Sequence, residues 1–212
     1  MEDVSQIIKE IKQSFRQMMD GSVAQSMRDK GLNYHLNWGA TLPRLKTKAE
    51  ELAIATPHSD HQYDLAIALW KENVRECKIL ATMLMPPERM LPEVCDIWME
   101  QIPSQEIAEQ AAFNLWQHLP YAPEKAYQWI ASDKEYYQLC GFHVLSRLFM
   151  NGQEPNERGI NEYIDQTLSA LQGSYMSVRK AAMQSMLRFA ELGLVYERKA
   201  KSATKSINLD IF

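Results

Sequence analysis

DLAIALWKENVRECKILATMLMPP, residues 64–87, is the stretch on which the fold turns. DLAIALW (64–70) and NVRECKILATMLM (73–85) are two helical stretches with almost no linker between them. Pro86 and Pro87 stop the second, because proline lacks an N–H and disfavours the helical conformation in the residue before it. The segment therefore reads as a helix hairpin. Upstream, a helix runs from Pro43 to Ala55 with Thr41 at its entrance, and Pro57 ends it. Residues 2–19 place Val4, Ile7, Ile8, Ile11, Phe15, Met18 and Met19 at three- and four-residue spacings, an amphipathic helix for which Gly21 supplies a stop. Downstream, helical stretches at 89–101, 104–117, 123–131, 135–150, 156–171 and 176–192 are separated by Pro103, Pro120, NGQEP (151–155) and Gly173. No segment alternates as a half-buried strand would. The expectation is an all-α chain, at least about 60% helix, well above the base rate for ordinary domains.

Self-similarity gives the helices an arrangement. NVRECKILATML (73–84) and SVRKAAMQSMLR (177–188) share a polar residue, then Val-Arg, then a face of small apolar residues. EIAEQAAFNLW (106–116) and YYQLCGFHVLSRLF (136–149) follow the same polar-to-apolar outline without the Val-Arg pair. Their starts fall about 30 to 40 residues apart, the length of one helix pair in HEAT-like arrays. One pair cannot bury its apolar stripe alone, so neighbours must stack. The expected product is a HEAT-like or ARM-like helical-repeat superhelix, an α-α solenoid with a concave face, forming a single domain over residues 1–200 with a tail at 201–212.

Composition agrees. At 212 residues the chain can bury well over half of its unfolded surface without a metal or disulfide staple. Eight Gly and nine Pro leave little room for the turns of an all-β fold. Cys77, Cys95 and Cys140 are odd in number, widely separated and set in apolar helical contexts, which points to reduced core thiols. No apolar run reaches the roughly 18 residues of a membrane span, and MEDVSQIIKEIKQ lacks the basic-then-apolar profile of a signal peptide, so the expected location is the cytoplasm. The net charge of −4 is unevenly spread: residues 51–172 carry 8 Lys/Arg against 18 Asp/Glu, and residues 173–212 carry 7 against 3. Basic ends could approach a polyanion, while the acidic middle is also what a solvated surface looks like.

Five segments, KGLNYHLNWGATLPRLKTKAEELA, LAIALWKENVRECKILATMLM, WMEQIPSQEIAEQ, WIASDKEYYQL and SVRKAAMQSMLR, stand in the order of the AlkD-type DNA alkylation repair proteins. The chain resembles that family over roughly residues 5–192. The resemblance implies a HEAT-like superhelix that holds duplex DNA in its concave face. In active members it implies hydrolysis of the N-glycosidic bond of cationic alkylated purines. Such a base leaves neutral, so no general acid need protonate it; a fixed carboxylate beside the sugar stabilises the positive charge that builds as the bond breaks and orients the attacking water. In the family the carboxylate is an Asp, flanked by two Trp that contact the lesion's backbone and by an Arg that grips a phosphate. Carried over by position, the carboxylate falls at Glu109, the Trp before it at Gln105, the Arg at Leu139 and the second Trp at or next to Gln184. A shift of one residue would set Gln110 at the carboxylate position instead. With those substitutions the resemblance implies weak or lost excision, and it implies no cofactor.

Other residues carry a binding reading beside a plain one. Glu109 lies in the early turns of PSQEIAEQ, where a carboxylate also favours the helix dipole. Arg179 and Lys180 open a helix whose N-terminus is itself partially positive, and a bound phosphate would relieve that repulsion. Thr41 and Lys46, with Lys48, are further DNA-binding candidates in TLPRLKTKAEE, and a solvated face explains the lysines equally well. Trp38 in NWGAT is a candidate for stacking on a nucleotide, whereas Trp70, Trp98, Trp116 and Trp129 read as core. His58 and His61 in PHSDHQY, with Asp60 and Asp64, lie in a polar connection with no third strong ligand elsewhere, and a metal site is not expected. Two readings stand: a monomeric alkylation-repair family protein that binds duplex DNA weakly and in a salt-dependent way, or a non-catalytic helical-repeat adaptor for a protein partner.

Overall fold

A computed structural model describes residues 4–210 and 212. Among them are twelve α-helices and no strand; one isolated parallel bridge joins Leu36 to Val74. The chain divides into two compact units, Met1–Leu115 and Trp116–Phe212.

The first unit opens with α1, Val4–Gln17, which buries Ile8, Ile11 and Phe15 as the amphipathic spacing requires. Residues 2 and 3 of the expected stretch lie outside the described residues. Gly21 is not a stop: α1 ends at Gln17, and Gly21 is the first residue of α2, Gly21–Asp29. The reason is Asp20, whose carboxylate accepts from the backbone N–H of Ser22 and Val23 and so caps a new helix. Then come α3, Leu42–Ala55, α4, Ser59–Lys71, and α5, Arg75–Leu84. The expected hairpin is the α4–α5 pair, which pack together. However, α4 starts five residues earlier than the apolar run suggests, so His58 is its cap residue and His61 lies in its first turn. A 3-10 turn at Pro87–Arg89 leads to α6, Pro92–Glu100, and α7, Gln105–Asn114, capped by Ser104. Trp70 of α4 stacks on Trp98 of α6, ring centroids 4.1 Å apart, and donates from Nε1 to Gln101. Lys78 donates to the Trp70 carbonyl, and burial pulls its pKa down.

The second unit contains α8, Ala122–Ile130, α9, Glu135–Met150, α10, Glu157–Gln172, α11, Met176–Ala190, and α12, Leu194–Ser206. α8 can lie close against α9 because Gly141 has no side chain: a Cβ there would come within 2.8 Å of the Ala126 carbonyl oxygen. α11 packs along α9, and Phe149, Tyr163, Phe189 and Tyr196 form edge-to-face and tilted aromatic pairs at the core. Inside that core the Tyr163 hydroxyl donates to Ser185. The helix at 194–206 has no counterpart in the apolar spacing, since it buries only Ala200 and Thr204. Residue 200, where the sequence suggested the end of a domain, therefore lies inside a helix. Cys77, Cys95 and Cys140 are buried thiols outside any disulfide, and burial pushes the Cys77 thiol up to about 12.

Candidate nucleic-acid interface

In the first unit, α7 carries two of the positions that the resemblance pointed to. Gln105 is its first residue and is exposed; Glu109, one turn on, is half-buried. The Gln105 amide donates to Glu109 Oε1 at 2.7 Å. The side chain standing at the aromatic position thus holds one oxygen of the carboxylate. Gln110, the alternative, accepts from Asn114.

α7 is held by a polar cluster that the sequence did not single out. Arg75, first residue of α5, is 1% exposed. Its guanidinium grips Glu106 with two bonds, Nε to Oε2 at 2.8 Å and Nη2 to Oε1 at 2.6 Å, while Nη1 donates to the Ala40 carbonyl at 2.8 Å. Tyr34 donates to Glu106 Oε2 at 2.6 Å and lies 2.7 Å from the Ser104 hydroxyl. Glu76, fully buried, accepts through Oε1 from the backbone N–H of Trp38 and of Ala40, and its Oε2 has no hydrogen-bond partner. Burial would raise the Glu106 carboxyl, but Arg75 and Tyr34 outweigh it and hold it below the usual carboxylate range. The signal was available in part: Arg-Glu-Cys-Lys in an otherwise apolar helix places charges where only a partnered charge can be buried.

The same cluster decides the position of Trp38. Its backbone N–H is held by Glu76 and its carbonyl accepts from the Asp20 N–H at 3.0 Å. Gly39, at φ +73°, lets this loop pass so close to α2 that a Cβ would meet the Asp20 oxygen at 2.1 Å. Trp38 is half-buried, with its ring nitrogen buried and unpartnered. Nearby in sequence, Thr41 precedes α3 and makes no side-chain cap, Lys46 is exposed, and Lys48 pairs with Glu51 at 3.1 Å. Asp60 pairs with Arg89, and the His58 and His61 rings meet edge-on at 5.6 Å. No group of three metal-ligating side chains occurs among the described residues.

In the second unit, Leu139 is 1% exposed inside α9, so the position matched to a phosphate-gripping Arg belongs to the core. Gln184 on α11 is exposed. Arg179 and Lys180, also exposed, are the fourth and fifth residues of α11 rather than its opening pair. The Arg179 N–H bonds the Tyr175 carbonyl at 3.0 Å, which leaves the free N-terminal donors to Met176, Ser177 and Val178. The Ser177 hydroxyl donates to Glu135 at 2.6 Å. Neither Arg179 nor Lys180 forms an ion pair among the described residues, unlike Arg188, which pairs with Glu191 at 2.7 Å. A cleft of about 610 Å³ elsewhere in this unit has an apolar floor of Tyr127, Leu145, Leu148 and Phe149 and a rim carrying Glu124, Glu154 and Glu162 beside Arg158. Three carboxylates around its mouth oppose phosphate there.

No helix among the described residues is long and apolar enough to cross a membrane. The molecule is thus an all-helical repeat protein with an unpaired basic turn on one helix and a carboxylate tethered on another. A solved structure with the same fold covers 94% of this chain and 82% of its own, at 16% identity and a TM-score of 0.78. That protein is described as one of a new family related to the HEAT-like repeat DNA glycosylases, with affinity for branched DNA structures. No curated protein matches the chain. Residues 11–188 match the model of the family described as DNA alkylation repair enzyme, and the chain belongs to that family.

Proposed function

We propose that this protein binds DNA through α11 of its second unit and that base excision is absent or feeble. The observation behind this reading is the fate of the four matched positions. Gln105 and Gln184 lack an aromatic face, Leu139 is a core residue, and Glu109 shares an oxygen with Gln105. Nothing in that set grips the phosphate or packs against the sugar of a lesion. Misplacing a reacting centre by about 1 Å costs on the order of a hundredfold, so a lone carboxylate on α7 is a poor catalyst. Arg179 and Lys180 meanwhile keep their charges available. The affinity of the structurally similar protein for branched DNA supports nucleic acid as the ligand class.

The test pairs a binding assay with an excision assay. A gel shift at low salt on duplex containing an abasic analogue and on a four-way junction should show retention of at least one of them. Release of 7-methylguanine and 3-methyladenine should stay close to background. Robust release that Glu109→Gln abolishes would overturn the non-catalytic reading. Absence of any DNA binding at low ionic strength would overturn the DNA reading and favour the adaptor.

A further inference from the structure

α11 is apolar on two sides. One packs into the core through Val178, Ala181, Ala182, Met186 and Phe189. The other meets solvent: Met176, Met183 and Leu187 follow at seven- and four-residue steps, which set them in one line along a helix, and are 55%, 39% and 37% exposed. Leu194, first residue of α12 and 72% exposed, prolongs the line, since it borders with Leu187 and Ala190 a shallow recess of about 490 Å³. A helix face that only meets water is polar, so an apolar line on it marks a contact surface. Its two ends carry opposite charge. Arg179 and Lys180 stand one turn from Met176 and from Met183, whereas Glu191 and Glu197 line the recess beside Leu187 and Leu194. A polyanion fits only one end of such a surface. A copy of the same surface turned end to end fits all of it.

We propose that this face is a self-association surface, on which α11 pairs antiparallel with α11 of a second copy about a two-fold axis at the level of Ser185. The register follows from the spacing along the chain. Met183 and Leu187 stand two residues before and after that level, Arg179 and Glu191 six, and Met176 and Leu194 nine. The two-fold turn therefore sets Met183 against Leu187, Met176 against Leu194 and Arg179 against Glu191, each contact made twice, as an isologous interface requires. Lys180, beside Arg179, meets the same acidic end, which holds Glu197. Within its own chain Glu191 pairs with Arg188 at 2.7 Å and Glu197 with Lys201 at 2.6 Å. All four of these side chains are more than a third exposed, and ion pairs so placed are worth little, so both carboxylates stay open to a second cation. The line is short, which puts the pair among small, transient interfaces with a dissociation constant in the micromolar range or weaker. Arg179 and Lys180 are also the cations that the DNA reading sets on phosphates, so pairing and DNA compete for α11; this competition rests on that reading, whereas the pairing does not.

The experiment follows the sedimentation of the full chain from low micromolar to submillimolar concentration. The parent's average mass should rise from one chain towards two. Met183→Gln with Leu187→Gln should hold it at one chain, with the thermal melt as in the parent, because both side chains are exposed. Arg179→Glu with Lys180→Glu should do the same by facing carboxylates with carboxylates, and Glu191→Lys with Glu197→Lys by facing cations with cations. An equimolar mixture of these two charge variants should pair again. A short bismaleimide reads the register: Met176→Cys chains should be joined to Leu194→Cys chains, and neither to its own kind, since the native cysteines are buried. The pairing is overturned by a parent that stays one chain at every concentration, by a Met183/Leu187 variant that pairs as the parent does, by a charge-variant mixture that stays apart, or by Met176→Cys chains joined to each other. A linear duplex at low ionic strength should return the parent to one chain. If the duplex binds and leaves the pair intact, the competition fails and the pairing stands. If no DNA binds, the DNA reading fails, and sedimentation and cross-linking alone decide the pairing.

Discussion

Residues 73–76, Asn-Val-Arg-Glu, and residues 177–180, Ser-Val-Arg-Lys, read almost alike, yet their arginines have opposite fates. Arg75 is buried at the first position of α5; Arg179 is exposed at the fourth position of α11. The helices begin at different phases of the motif: Val74 precedes α5 as its cap residue, whereas Val178 is already inside α11. More decisive are the partners. Around Arg75 the fold gathers Glu106 from α7, the Ala40 carbonyl and Glu76 from its own helix. Around Arg179 no carboxylate is paired, and the nearby Glu135 is hydrogen-bonded to Ser177. A guanidinium is buried where the chain supplies a fork of acceptors and stays in water where it does not. One copy of the motif has become a clasp that holds two helices and a loop; the other is free to meet a ligand.

The largest effect expected from breaking this contrast is at Arg75. Arg75→Met removes the cation and leaves Glu76 and Glu106 facing each other in a nearly dry site, so the chain should lose about 3–5 kcal/mol of stability, measured by urea unfolding. Arg75→Lys should recover only part of that, since an ammonium cannot make the two-bond grip. A loss under about 1 kcal/mol for Arg75→Met would mean the clasp is incidental.

Glu106→Gln should cost less, about 1–3 kcal/mol at neutral pH. Its distinguishing mark is the pH profile. The folded-state pKa of Glu106 is depressed, so its contribution is fully present above the unfolded value of about 4.3 and is lost as pH falls through the folded value. Thermal melts from neutral to acid should therefore fall less steeply for Glu106→Gln than for the parent. Parallel curves would place the acid sensitivity elsewhere.

The smallest effect on stability, with the sharpest effect on binding, belongs to the exposed copy. Arg179→Glu with Lys180→Glu should shift stability by no more than about 0.5 kcal/mol, as surface changes do. The same change should abolish DNA binding at low salt. With about three or four phosphates engaged, the parent's log affinity should fall against log salt with a slope near −3 to −4. A double variant that binds like the parent would show that α11 does not carry the affinity.

Helical period, proline stops and composition were enough to determine the all-α fold and most helix positions, because each is a local property of consecutive residues. α9, Glu135–Met150, spans the same residues that its periodicity marks. α12 escaped because a solvated helix burying two small residues has no apolar stripe to read. The α2 start escaped because a glycine was weighed without the aspartate before it. For the candidate site, the family resemblance pointed to Gln105, Glu109, Leu139 and Gln184, and the start of a helix pointed to Arg179 and Lys180. Only the tertiary structure decided that Leu139 is core, that Gln105 holds Glu109, that Trp38 is pinned by Glu76, and that Arg75 is consumed by Glu106, 31 residues away. For Trp38 and Arg75 the physical reason is the same. Whether a polar side chain is spent or available depends on the groups that other segments bring within about 3 Å, a distance across which adjacency in the chain has no hold.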